Sequence, residues 1–151
     1  RDRLRSRGLG DVYKRQILFR GKTTIKESNH AFNGTWVEGD LIHSGGKLYM
    51  HPIANMVEIN GEIGKLIIMH EVIPETVRQY TGLTDRNGVK IFEGDIVKSR
   101  NKLYEIKYLT EYARFLAVLP NGVFNPVAVL NCEVVGNIHD NPDLIGGVTN
   151  A

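Results

Sequence analysis

No stretch of twelve or more residues in this 151-residue chain carries a clean 3.6-residue apolar period. The nearest, "MHEVIPETVRQY" (69–80), is interrupted by Pro74, whose ring removes a backbone N–H and clashes with the preceding turn. Helix is therefore scarce, and the apolar residues must find a core through strands. They come in short runs: "ILFRGK" (17–22), "FNGTWVEGDLI" (32–42), "GGKLYMHPI" (45–53), "GKLIIMHEVIP" (64–74), "ARFLAVLPNG" (113–122) and "VAVLNCEVVGNI" (127–138). "KLYEIKYL" (102–109) alternates with period two, placing Leu103, Glu105, Lys107 and Leu109 on one face and Tyr104, Ile106 and Tyr108 on the other. Only "HDNPDLI" (139–145) has room for a helical turn.

The punctuation between these runs predicts antiparallel pairing. Asn33-Gly34 and Asn87-Gly88 are hairpin signals, because both residue types tolerate positive φ. "HSGGKL" reads as another hairpin turn, with Lys47 beginning the next strand; it lacks the spacing of a phosphate-binding loop. The segments "NGTWVEGDLI" (33–42) and "NGVKIFEGDIV" (87–97) echo one another. In each, Gly39 or Gly94 would allow a bulge or sharp bend, and Asp40 or Asp95 would accept a backbone N–H. The echo is either a duplicated β-module or one local solution found twice. The expectation is a mainly β fold of short antiparallel strands, either a small SH3-like barrel or two modules, with little helix.

Charge concentrates in one place. The chain has 19 basic and 17 acidic residues, but "RDRLRSRGLGDVYKRQ" (1–16) contributes Arg1, Arg3, Arg5, Arg7, Lys14 and Arg15 against Asp2 and Asp11. This stretch lacks any apolar period and reads as translated sequencing-adapter DNA, a non-native and unstructured segment to set aside. Without it, 13 basic residues face 15 acidic ones, so the chain has no basic arm to release phosphate counterions. No apolar run approaches the ~18 residues of a membrane span. The single cysteine, Cys132, permits no intrachain disulfide and reads as a small core residue. A soluble protein of a reducing cytoplasm is expected.

Catalytic patterns are missing from the residue order. His30, His43, His51, His70 and His139 are scattered without metal-ligand spacing, so neither metal nor cofactor is expected. Ser28, Ser44 and Ser99 sit in polar turn-like contexts rather than in a nucleophile elbow. The carboxylate pairs Glu38/Asp40 and Glu93/Asp95 read as solvated glutamates beside turn-forming aspartates, so no catalytic residue is named. One local cluster interleaves charge with aromatics: "KSRNKLYEIKY" (98–108) brings Lys98, Arg100, Lys102 and Lys107 beside Tyr104 and Tyr108. It reads as a single-strand nucleic-acid surface, or as a solvated hairpin with "SRNK" at its tip and tyrosines packed inward.

The blocks "ILFRGK", "GTWVEGDLI", "VIPETVRQYTGLTDRNGVKIFEGDIV" and "EVVGNIHDNPDL" resemble, in this order, the YopX family of phage- and prophage-encoded proteins. The resemblance runs from Ile17 to about Leu144. Arg78 departs from it, standing where a small residue is expected. The resemblance implies phage origin, a mainly β fold and the bacterial host cytoplasm, and brings no catalytic residue with it. Residues 17–145 then form the family's β domain, with sub-modules at 17–74 and 75–145, and 146–151 form a tail. The expected function is a non-catalytic binding module acting on a host or phage protein, through strand edges or exposed aromatics. A single-stranded nucleic-acid-binding small barrel is the alternative, and an enzyme of unrecognised type the second alternative.

Overall fold

The computed structural model describes residues 17–24, 34–52, 56–59, 62–65 and 69–146. The adapter-like segment, Asn33, Ser28, His30 and the tail from residue 147 lie outside the described residues. The chain forms two compact units, Ile17–Gln79 and the residues from Tyr80 onward. The fold is mainly β and antiparallel throughout.

In the first unit, β1 (Phe19–Lys22), β2 (Trp36–Ser44), β3 (Lys47–His51) and β6 (His70–Glu71) hydrogen-bond in the order β6-β3-β2-β1. The first two residues of β7 (Arg78–Thr84) pair beside β1, and β4 (Met56–Ile59) pairs with β5 (Glu62–Lys65) as a separate ribbon. Gly45 and Gly46, both at positive φ, make the two-residue turn of the β2–β3 hairpin, whose twist matches the strands it joins. The unit buries Met50 and Val72, and Val72 sits over Gly21, where the absence of a Cβ leaves room for its methyls. Pro74 opens a single 3-10 turn, Pro74–Thr76. Thr76 fastens this turn to β1: its hydroxyl donates to the Ile73 carbonyl at 2.6 Å and accepts the Lys22 N–H at 2.9 Å.

Here the Gly39-Asp40 reading is corrected. Both residues lie inside the nine-residue β2, opposite Phe19 of β1 and His51 of β3 respectively, and neither occupies a turn. Glycine is required at position 39 for a different reason. A Cβ there would fall 2.1 Å from the His51 carbonyl oxygen, so β3 can approach only a bare backbone. Asp40 is exposed. Gly94, by contrast, has φ +82 in a real turn, so the two echoing segments share letters without sharing a conformation. The echo is therefore no structural duplication.

In the second unit, the rest of β7 pairs with β8 (Lys90–Phe92), with a register shift between Tyr80 and Thr84, around Gly82 at φ +85. Five strands follow: β9 (Asp95–Ser99), β10 (Lys102–Leu109), β11 (Arg114–Val118), β12 (Phe124–Pro126) and β13 (Glu133–Asn137), in the order β12-β11-β10-β9-β13. This sheet is open, and no sheet among the described residues closes into a barrel, which corrects the barrel alternative. Pro126 ends β12 without an N–H to donate, and the 3-10 turn Val127–Val129 leads the chain away from that edge. A short helix α1 (Asp143–Gly146) lies beside β10.

The core of this unit is one face of the five-stranded sheet. Val97, Tyr104, Ile106 and Ala117 stand on that face by strand alternation, and Ile91, Val127 and Cys132 pack onto them. Burial pushes the Cys132 thiol up from its ordinary value, and the nearby Asp85 charge pushes the same way, so the thiol stays protonated.

Buried carboxylates and amides hold the turns. Asp85, 7% exposed, accepts the N–H groups of Asn87 and Val89 on one oxygen (2.8 and 2.9 Å) and that of Val134 on the other (2.9 Å). One side chain thus closes the Asn87-Gly88 turn and ties it to β13. Asp95, 1% exposed, accepts the Phe92 N–H at 2.8 Å across the Glu93-Gly94 turn. Asn137 accepts the N–H groups of His139 and Asp140 and donates to the Asp140 carboxylate.

Two outcomes follow from these contacts. Gly39→Ala destabilises the chain by about 1–3 kcal/mol or more, because backbone must move to admit the methyl; chemical denaturation measures it. Burial raises the Asp85 carboxyl, but the N–H donors of Val134, Val89 and Asn87 and the Arg86 charge outweigh it, so its pKa lies below the ordinary 3.8. A depressed folded pKa contributes stability that is complete above 3.8 and lost as pH falls through the folded value. Asp85→Asn turns an amide toward a backbone donor and costs about 1–3 kcal/mol at pH 7. The gap from the parent chain narrows below pH 3.8 in denaturation measurements.

Candidate functional site

The core face of the five-stranded sheet does not end in packed side chains. Past Tyr104 it opens into a pocket of about 530 Å³ in the second unit. Three local structures build its walls. The first is the β9–β10 hairpin, in which Ser99 pairs with Lys102 and Arg100-Asn101 form a two-residue turn at φ +48 and +62. Two positive φ values define the turn whose twist matches paired strands. The second is the edge strand β12, where Asn125 pairs with Ala117 and so shares the face of Ile106 and Tyr104. The third is the segment Val129–Asn131, with Arg86 of the β7–β8 loop alongside.

The electrostatics of this pocket have one sign: its lining holds Arg86, Arg100 and Lys102 and no carboxylate. Arg86 is committed elsewhere, its guanidinium paired with Glu133 and its N–H donating to the Cys132 carbonyl at 3.0 Å. Among the described residues, the side chains of Arg100 and Lys102 have no ion-pair or hydrogen-bond partner. Ser99 and Tyr104, each only 6% exposed, line the same space, and neither hydroxyl bonds to a described residue. The side-chain amides of Asn125 and Asn131 complete the polar lining, while Val129, 73% exposed, provides an apolar rim.

The structure divides the basic-aromatic cluster of the sequence. Arg100, Lys102 and Tyr104 meet at the pocket. Lys98 and Lys107 stand on the opposite face, since Lys98 pairs with Leu103 and Lys107 with Leu116, and Lys107 is bridged to Glu105 at 3.3 Å. Tyr108 lies at the far end of β10, 44% exposed, its ring edge-on to Phe115 with centroids 5.2 Å apart. Residue spacing gave no sign of Asn125 and Asn131, because Asn125 arrives through the register of β12 with β11 and Asn131 through the segment that follows β12. Gly34 sits in a turn at φ +68, and Asn87 and Gly88 belong to the turn closed by Asp85. Gly94 and Asp95 hold the β8–β9 turn, as described above. Asp95, buried and bonded to backbone, is not exposed beside Glu93 as an acid–base pair. Among the described residues no three His, Cys, Asp or Glu side chains gather as a metal site, and no helix is long and apolar enough to cross a membrane.

Arg100 is held at a cost. An L-residue other than Gly, Asn or Asp strains in the left-handed region, by about 1 kcal/mol or more. Arg100→Asn is predicted to stabilise the chain by about 1 kcal/mol in thermal unfolding, since asparagine visits this region readily. A lower melting temperature for this variant would contradict the reading of the turn.

Comparison with known proteins places the chain by its sequence and fold. The crystal structure of protein EF1440 from Enterococcus faecalis is similar, at 25% identity and a TM-score of 0.55, over 86% of this chain and 98% of that one. No curated protein matches the chain. The family model described as YopX protein matches residues 18–146, within which both compact units fall almost entirely. The chain belongs to the YopX family.

Proposed function

We propose that this chain is a phage-encoded, non-catalytic binding module of the bacterial host cytoplasm, and that the pocket at the β9–β10 hairpin is its recognition surface. The observation that carries the reading is the charge of the lining: Arg100 and Lys102 face a space with no carboxylate, flanked by hydroxyls and amides without partners among the described residues. Such a lining favours an anionic group, because charge-assisted hydrogen bonds are about twice as strong as neutral ones. Ligand acidity, rather than a hydrophobic groove, then selects the partner. The phage origin rests on family membership.

The chemistry of the same groups supports the non-catalytic part of this reading. The lining includes no histidine, cysteine or carboxylate, and among the described residues no hydrogen bond pairs the Ser99 or Tyr104 hydroxyl with a base that would activate it. The pocket supplies fixed positive charge beside groups that donate and accept hydrogen bonds, which suit binding and orientation.

A host or phage protein with an acidic segment and a nucleic acid both present such an anionic group. The reading is tested by the salt dependence and charge dependence of binding. In pulldowns from bacterial lysate with the tagged chain, Arg100→Gln with Lys102→Gln is expected to lose the retained partner while circular dichroism stays unchanged. Retention of the same partner by that variant at equal salt would overturn the assignment of this surface.

A further inference from the structure

The geometry points to single-stranded nucleic acid as the ligand, with one unpaired nucleotide seated in the pocket, its phosphate on Arg100 and Lys102 and its base edge on Asn125 and Asn131. This rests on the pocket being the recognition surface, and it names the ligand class.

The lining favours a nucleotide over an acidic side chain. A carboxylate accepts hydrogen bonds only, and donors alone would satisfy it. Asn125 and Asn131 offer carbonyl oxygens as well as amide hydrogens. Base edges present donors and acceptors side by side, which amides match in pairs. The hydroxyls of Ser99 and Tyr104, two side chains of the lining with no hydrogen bond to a described residue, add two more groups able both to donate and to accept. A cavity of about 530 Å³ also exceeds what one carboxylate side chain needs and has room for a base with its sugar. Val129 at the rim is the most exposed large hydrophobic residue described, at 73%, and a base or sugar face would cover it.

The same shape excludes a duplex. A base reaches a concave pocket only by leaving its stack and its partner, which costs least in a strand already single. The two cations sit at a hairpin tip, where a strand can enter and leave on either side, rather than along a groove-filling helix. The strained backbone of Arg100 is consistent with this placement: the turn aims a guanidinium at the pocket from a position better suited to Asn or Gly.

The test is fluorescence anisotropy of the full chain with three labelled probes: a twelve-nucleotide mixed-sequence single-stranded DNA, the corresponding duplex and a poly-glutamate peptide of matched charge. The basic stretch 1–16 is present in every arm, so differences between variants read the pocket. The single strand is expected to bind tighter than the duplex at equal salt. Arg100→Asn combined with Lys102→Gln weakens single-strand binding about tenfold, and lowers the magnitude of the log–log salt slope by about 0.7, the value for one phosphate neutralised on a single strand. Asn125→Leu, which keeps both cations, weakens the single strand more than the duplex.

Equal affinity for strand and duplex, or no effect of Asn125→Leu, overturns the nucleotide assignment. Pocket-dependent binding of poly-glutamate without pocket-dependent binding of the single strand also overturns it, and leaves the anionic binding surface standing. A cation variant that binds all three probes as the parent does overturns both.

Discussion

A buried carboxylate needs donors around it, and Asp85 finds them in three backbone N–H groups from two different parts of the second unit. That requirement fixes the β7–β8 loop against the start of β13. With the loop fixed, the Arg86 N–H reaches Cys132 and its guanidinium reaches Glu133. Cys132 in turn sits in the core that Tyr104 closes. One wall of the pocket, where Arg86 stands beside the segment leading into β13, is therefore positioned by how one aspartate satisfies its desolvation.

The pocket shows how a sheet produces a site without dedicated loops of great length. Strand alternation sends Val97 and Ser99, then Lys102 and Tyr104, to one face, and the two-residue turn between them adds Arg100. The inner members of that series are apolar and make the core, while the outer members are polar and face the space beyond it. The strain at Arg100 sits at the tip of the hairpin, where the exchange of stability for a positioned charge involves only one residue.

Much of this architecture is legible in the residue order. Pro74 and the missing 3.6 period point to strands, Gly45-Gly46 to a hairpin, and the alternation of "KLYEIKYL" to an inward Tyr104 and Ile106. Tyr108 follows the same alternation, yet lies beyond the packed face at the strand's far end, a distinction that period alone does not carry. Gly39 and Gly94 share the Glu-Gly-Asp setting, but one admits a neighbouring strand's carbonyl and the other a left-handed turn. Their difference comes from tertiary pairing, which local sequence does not encode. The pocket was half legible: Arg100, Lys102 and Tyr104 are close in the chain, whereas Asn125 and Asn131 arrive through the register of β11 with β12 and the turn after it. Lys98 and Lys107 fall away because a strand divides its neighbours between two faces.

The most direct measurement of the central claim is amide chemical-shift mapping of the isotope-labelled full chain as a single-stranded oligonucleotide is added. With a strand seated in the pocket, the resonances of Ser99 to Tyr104, Asn125 and Val129 to Asn131 are expected to move together and saturate with one affinity. Shifts gathered instead around Lys98 and Lys107, or within residues 17–79, with the pocket amides unmoved, would contradict that claim.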